Sequence, residues 1–575
     1  MDYTLSQLIK LSKTDKSEFP TVKIAIVGND ATQHLKNSIA GMAVVNKINA
    51  EIFDADYNQL DFQIYDTSSE LYCFEPEYVL LSMCVEKLYE EFADSASKKE
   101  FAQIQFDKLK GYYSNINANL KAKILQFTFI EENDRTFGNF GLILEDSFIY
   151  QVKKLNFMLM EYAYSLGNLF LIDTNDIRAK YGSDIFCDKK FYCNAKMSIS
   201  PTVLPAVAKN VLDIIKAIRG VVKKCVILDL DNTLWGGVIG DDGMDGIELG
   251  ELGIGHAFSE LQLWLKVLKE RGILLCVCSK NNEDTAKEPF ISHPDMILHL
   301  EDIAMFVANW EDKATNIRYI QKTLNIGMDS IVFLDDNPFE RNLVKEMIPD
   351  ITVPDLPEDA SLYTTYVKNL NLFETVSYSS NDSDRTVQYQ QQVNRNELLK
   401  NSQNFDDYLI GLEMTGEAKT FEKYYYPRIA QLTQRSNQFN LRTIRYTEAE
   451  IANIASDDKY LTLYYTLKDR FGDNGLVAVV ILEKLDSETV FINEWLMSCR
   501  VLKRGMEEFI VNEIFAAASA AGFKKVKGEY IKTKKNSMVE HIYDDFGFNK
   551  ISNTEYEIEV ADYKPRKHFI KKIDQ

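Results

Sequence analysis

Between residues 21 and 375 the chain repeats one cadence, a short apolar run followed by a stretch of helical periodicity, and this alternation restricts its fold most. Parallel strands cannot be joined by a tight turn and need a crossover, usually a helix, so the alternation predicts open parallel α/β sheets. The first series runs TVKIAIVG, a helix near 34–48, AEIFDAD, YVLLSMCV, AKILQFTFI, a helix through VKKLNFMLMEYAYSL, and NLFLIDTNDI. A helix over 204–219 closes it and sets a first domain at 1–220. The second series, KKCVILDL, GILLCVCSK and SIVFLDDN, defines a domain at 221–375. The polar run SYSSNDSDRTVQYQQQVNRNELLKNSQN then predicts an exposed, helical connector at 376–404. Residues 405–575 change character: DNGLVAVVILEK and ETVFINEWLMS precede a long amphipathic helix over 504–520, the pattern of an α+β domain.

Composition narrows the function classes. A net charge of −21 repels phosphate backbones and anionic membrane surfaces, so neither nucleic acid nor membrane is an expected partner. The 8 cysteines are scattered, with no CxxC pair, which predicts a reduced, cytoplasmic protein without disulfides or a zinc site. No signal peptide or membrane span is legible.

The chemistry concentrates in VILDLDNTLW, where an apolar strand delivers Asp229 and Asp231 to its C-terminal end, the edge at which open α/β sheets place reacting groups. One aspartate can attack phosphorus while the second protonates the leaving oxygen. Ser279 ends the next strand, Lys313 opens a later helix, and Asp335 and Asp336 end SIVFLD. A hydroxyl, a fixed cation and a distal carboxylate pair suit in-line phosphoryl transfer, with Mg²⁺ held by Asp229, Asp231, Asp335 and Asp336. Thr233, Lys280, Asn281 and Asn337 flank these motifs and are the expected substrate contacts.

These four motifs in this order resemble the haloacid dehalogenase (HAD) superfamily, and the intervening lengths leave little room for a cap domain. The longer runs DLDNTLWGGVIGDDG, SKNNEDTAKEPF, ANWEDKATNI and FLDDNPFERNLV are similar to its FkbH-like branch. That resemblance implies a Rossmann-like domain that dephosphorylates 1,3-bisphosphoglycerate and passes the glyceryl group to the phosphopantetheine thiol of an acyl carrier protein. It directs attention to Cys499, at a strand end before a long helix, as an acyl relay; a small buried hydrophobe is the other reading of that thiol. Arg500, Arg504 and Gly505 resemble the CoA-binding turn of GNAT acyltransferases, in which a helix start cradles pyrophosphate, with Lys503 where a glycine belongs. A small-molecule phosphatase fused to a separate acetyl-CoA-dependent transferase, or a scaffold without activity, are the alternatives. In LTQRSNQFNLRTIRY, the polar residues Asn437, Gln438 and Asn440 form either an acceptor pocket or a capped loop. The first domain resembles a flavodoxin/SGNH-like fold with Asn29 and Asp30 where the nucleophile motif would stand, which argues against ester hydrolysis and for docking.

Overall fold

The computed structural model describes residues 3–378 and 385–573, and the chain divides into two compact units, Met1–Lys216 and Ala217–Gln575. Residues 379–384 of the polar connector lie outside the described residues.

The first unit is built on five parallel strands, β1 (Thr21–Gly28), β2 (Asn49–Asp54), β3 (Tyr78–Ser82), β4 (Lys123–Phe127) and β5 (Leu169–Ile172), in the order β2-β1-β3-β4-β5. This is the flavodoxin-like winding. Strands β1 and β3 read as unbroken apolar runs because both faces are covered: Ile24, Ile26, Val79 and Leu80 are wholly buried. The helix Phe101–Asn119 has no clear stripe in the sequence, yet it buries Leu109, Tyr112, Tyr113 and Ile116. Strand order reverses between β1 and β3, which opens a crevice at their C-terminal ends. Asp30 lies there, buried, accepting hydrogen bonds from Ser82 at 2.9 Å and from Ser198. Burial pushes its carboxyl up to about 6. Asn29 accepts from the Cys84 amide at 2.9 Å, and His34 is exposed on the helix Gln33–Val45.

The second unit contains two sheets. One has the parallel strands β6 (Cys225–Leu228), β7 (Leu274–Ser279), β8 (Ile303–Ala308) and β9 (Ile331–Leu334), ordered β8-β7-β6-β9. Sequence reasoning names β6, β7 and β9 but not β8, whose run IAMFVA follows a 3-10 turn instead of a long helix. The other sheet is mixed, as the α+β, GNAT-like expectation requires. Its strands are β10 (Thr415–Lys419), β11 (Phe439–Asn440), β12 (Tyr460–Asp469), β13 (Gly472–Lys484), β14 (Thr489–Met497), β15 (Lys525–Glu529), β16 (Asn549–Lys550), β17 (Glu555–Glu559) and β18 (Lys571–Lys572). Within it β14 and β15 run parallel, and their pairing covers only Thr489 to Ile492. Beyond that point the gap on β14 is taken by β11, which pairs with Leu496 and Met497, while the Leu441 carbonyl accepts from the Ile531 amide at 2.9 Å.

The polar connector is not an exposed linker. Its helix, Arg385–Asn401, packs on both sheets: Gln390 donates to the Ile303 carbonyl at 2.9 Å, Tyr389 enters the core under β6 and β9, and the fully buried Arg395 makes a two-pronged bond to Asp469 at 2.8 and 2.9 Å. Its few large side chains carry the packing, which a low average hydropathy conceals.

Candidate active site

Strands β6 and β9 end side by side, zipped by the Asp229 amide donating to the Leu334 carbonyl at 3.0 Å. Asp229 therefore faces Asp335 and Asp336 across the sheet's C-terminal edge. Oxygen atoms of these three carboxylates all lie within 4.8 Å of one another. Lys313 enters from the far side, as the first residue of the helix Lys313–Leu324, whose N-cap Asp312 accepts from Thr315 at 2.8 Å. Its buried ammonium lies 2.7 Å from Asp229 and 2.5 Å from Asp335. Burial works against that charge, but the two carboxylates overcome it and hold the lysine above its usual range. Asp335, wholly buried beside Asp229, is pushed up to about 6. Three carboxylates against one ammonium leave negative charge to be balanced, and hard oxygen donors at this spacing fit a divalent cation such as Mg²⁺.

Asp231 does not join that cluster. It was expected among the metal ligands, but its side chain turns toward the loop and accepts from Trp235 Nε1 (3.0 Å), the Ile239 amide (3.0 Å) and Asn281 Nδ2 (2.9 Å). Burial raises its pKa, as suits a group that must present a proton. The turn that returns Trp235 to it depends on Asn232, which adopts φ 54°, a conformation that asparagine tolerates better than most residues.

The residues expected to touch substrate mainly position others. Asn281 orients Asp231. Lys280 is paired with Glu340 at 2.6 Å. Asn337 caps the helix Pro338–Met347 and donates its amide to Asp335 at 2.8 Å. Thr233 accepts from the Asp336 amide at 3.1 Å. Ser279 ends β7, is 2% exposed, and its carbonyl accepts from Asn309 at 3.2 Å. Sequence reasoning missed Arg341, whose guanidinium braces the carbonyls of Asp335 and Asp336, and missed the role of Trp235. Only the spacing of Trp235, four residues after Asp231, carried a signal.

Cys499 lies elsewhere. It lines a cavity of about 320 Å³ together with Lys224, Asn437, Gln438 and Arg500, and Asn325 donates to its carbonyl at 3.1 Å. Lys224 precedes β6 and Asp229 follows it, so the two lie at opposite edges of the sheet, about 16 Å apart along the strand at ~3.3 Å per residue. The structure thus does not bring Cys499 to the aspartates. Asn440, on β11, is outside that cavity's lining; its side chain accepts from the Thr443 amide at 2.5 Å and its carbonyl from Asn536 at 2.9 Å.

The expected CoA turn is closed. Arg504 is 2% exposed and bonded to Asp469 at 3.2 Å. Glu507 accepts from the Lys503 amide at 3.1 Å, so that backbone donor is already taken. His568 packs over Gly505, with its Cβ 3.5 Å from the place a side chain would start. With β11 filling the edge of β14, these residues do not fit the pyrophosphate end of CoA.

A family model described as the FkbH N-terminal domain matches residues 23–216. Among solved structures, the N-terminal part of the protein BF1531 from Bacteroides fragilis, which contains a phosphatase domain and is complexed with Mg, is 45% identical. That match covers 65% of this chain and 100% of the other, with a TM-score of 0.63. The ribosomal-protein-S18-alanine N-acetyltransferase from Escherichia coli is 12% identical over 25% of this chain and 94% of its own, with a TM-score of 0.21. The spermidine N-acetyltransferase from Vibrio cholerae, in complex with CoA and spermine, is 13% identical over 26% and 98%, with a TM-score of 0.21. No curated protein matches the chain. No described helix is long and apolar enough to cross a membrane.

Proposed function

The chain belongs to the FkbH-like family of the HAD superfamily, and from that premise we propose that it removes phosphate from a small phosphorylated acid of the 1,3-bisphosphoglycerate kind and supplies the glyceryl group to an acyl carrier protein thiol. The observation that carries the phosphatase half is the buried constellation of Asp229, Lys313, Asp335 and Asp336 beside a separately oriented Asp231. Asp229 attacks phosphorus, the bond from phosphorus to the leaving oxygen breaks, and Asp231 gives that oxygen its proton. Asp231 then takes a proton from the water that attacks the aspartyl-phosphate, releasing phosphate and restoring Asp229. Lys313 holds the phosphoryl oxygens against the developing charge, and Ser279 is the expected hydroxyl donor. Mg²⁺, held by Asp229, Asp335 and Asp336, would supply charge neutralisation.

The transfer half rests on family membership and on Cys499 as the acyl relay. Cys499 lines a cavity on the Lys224 side of β6, away from Asp229, so the two steps are separate: the Cys499 thiolate displaces the C1 phosphate of the acyl phosphate to give a thioester, which the carrier thiol takes over by exchange, while the Asp229 centre hydrolyses the remaining phosphate ester. The closed helix start speaks against the rival reading of an acetyl-CoA transferase.

Intact-mass measurement and phosphate release with Mg²⁺ and 1,3-bisphosphoglycerate test both halves. Asp229→Asn is expected to abolish steady-state hydrolysis, leaving at most the one phosphate per chain that thioester formation expels, and Cys499→Ala to spare hydrolysis while losing a glyceryl adduct on the cysteine peptide. Release without any adduct in the unmodified chain would remove the transfer half and leave the phosphatase.

A further inference from the structure

Lys224 stands just before β6, and its backbone is held from both neighbouring strands: its amide donates to the Ser330 carbonyl at 2.8 Å and its carbonyl accepts from Leu274 at 2.9 Å. Its side chain reaches the cavity that Cys499 lines, where Nζ donates to the Arg435 carbonyl at 3.0 Å. Cys499 opens the short turn Cys499–Val501 after β14, and Asn325 holds its carbonyl at 3.1 Å. An amine and a thiol are thus anchored in one cavity, each by bonds that do not involve the other, and the phosphatase chemistry uses neither. Burial brings the Lys224 ammonium down to about 8, and the Cys499 sulfur is the charged neighbour that acts on it most strongly. The other charged groups facing it are Arg385 on the helix Arg385–Asn401, Arg435 on the helix Tyr426–Arg435, and Asp329 with Lys535 on the loops. These have partners of their own: Arg385 donates to the Gly272 carbonyl at 3.4 Å, Arg435 to the Ser377 carbonyl at 3.2 Å, and Lys535 pairs with Asp329.

We infer that Lys224 is the proton-transfer partner of Cys499, taking a thiol proton at Nζ when sulfur attacks and returning it to the group that leaves. The inference rests on the reading of Cys499 as the acyl relay. When the Cys499 sulfur attacks an acyl phosphate, the S–H proton passes to Nζ and the carbon–sulfur bond forms. The carbon–oxygen bond to phosphate then breaks, and Nζ hands its proton to the departing phosphate. When the carrier thiol attacks the resulting thioester, its proton passes to Nζ, the new carbon–sulfur bond forms, the old one breaks, and Cys499 recovers the proton. Lys224 ends each half-reaction as it began, so no further acid or base is needed. A group that titrates within about one unit of neutral pH serves in both directions, whereas an ordinary lysine, near ~10.4, holds its proton too tightly to act as the base.

Thiol and amine reactivity test the pair on the full-length chain in EDTA, with no acyl substrate present. Loss of a neighbouring ammonium lowers the thiolate fraction of a cysteine, so iodoacetamide labelling of Cys499 at pH 7, read by peptide mass spectrometry, should slow about fivefold in Lys224→Gln. In Lys224→Arg, which keeps the charge, it should stay within about twofold of the unmodified chain, and by about pH 10, where thiols ionise unaided, all rates should converge. Exposed Cys73 is the internal control. Coupling acts in both directions, so Cys499→Ala should speed acetylation of Lys224 by acetic anhydride about twofold near neutral pH. Glyceryl transfer from 1,3-bisphosphoglycerate to N-acetylcysteamine then separates charge from proton transfer: Lys224→Arg should be slower by at least about tenfold although its thiol labels normally. Equal labelling of Cys499 in the unmodified chain and in folded Lys224→Gln overturns the proposal, as does unimpaired transfer by Lys224→Arg. If neither Lys224 variant folds, acetylation in Cys499→Ala decides alone, and an unchanged rate there overturns it. Coupled reactivities without any glyceryl adduct would defeat the relay reading and leave the proton pair standing, whereas an adduct with uncoupled reactivities would defeat the pair and leave the relay.

Discussion

Asp231 is held by three donors, and each comes from a different piece of chain: an indole four residues on, an amide eight residues on, and Asn281 from the loop after β7. This distributes control of one carboxyl over two elements. Removing a single donor loosens the carboxyl without removing it. Asn281→Ala is therefore expected to lower kcat about tenfold with little change in KM, whereas Asp231→Asn removes the acid/base and costs ~10²–10⁴ in kcat. Steady-state phosphate release measures both, and an equal loss in the two variants would show that Asn281 does more than orient. At this scale the proximity of Asp229, Lys313 and Asp335 was legible because each ends or follows a strand in chain order, and the fold brings them together. Trp235 was not, since its bond depends on a turn through a positive φ at Asn232. The pairing of Lys280 with Glu340 was not legible, because Glu340 is 60 residues away and only the folded sheet brings the two together.

Among elements, the strands of the parallel sheets were the most legible, since burial on both faces writes itself as unbroken apolar runs. The helix Arg385–Asn401 was legible as a helix but its burial was not, because its anchorage lies in an ion pair. Arg395 is fully buried against Asp469, and Asp469 also meets Arg504, so one carboxylate serves two buried guanidinium groups. Asp469→Asn takes the carboxylate charge from both and is expected to destabilise the second unit by about 3–5 kcal/mol, as removal of one partner from a buried pair does. Urea unfolding followed by tryptophan fluorescence reads this, and a loss below ~1 kcal/mol would mean that solvent reaches the cluster. Strand β14 supplies a second case. Glu494 is wholly buried, one of its oxygens has no partner, and burial pushes its carboxyl up to about 8. Folded Glu494 keeps its proton to about pH 8, whereas the unfolded residue releases it near 4.5. Between those values the native state binds more protons, so stability falls as pH rises through the window. Glu494→Gln should flatten that slope and raise Tm at pH 8 relative to the parent, while at pH 4.5 the two chains melt alike.

For the whole molecule, the strongest test of the proposed arrangement is where a metal acts. All three carboxylates of the cation cluster belong to the second unit, and none to the first. A ligand that binds only a folded centre stabilises the unit containing it by an amount set by concentration over affinity, about 2.7 kcal/mol at 100 times Kd. Chains with two compact units commonly unfold in more than one step. Calorimetry with increasing Mg²⁺ should therefore raise one transition by several degrees and leave the other in place, with the moving transition being the one that Asp469→Asn lowers. Asp335→Asn should abolish the Mg²⁺ shift while sparing the first unit's transition. Its own baseline stability will not fall as far as that of Asp469→Asn, because Lys313 keeps Asp229 as a partner at 2.7 Å. If Mg²⁺ instead moved both transitions together, the two units would unfold as one, and the metal would be acting on more of the chain than the edge of β6 and β9.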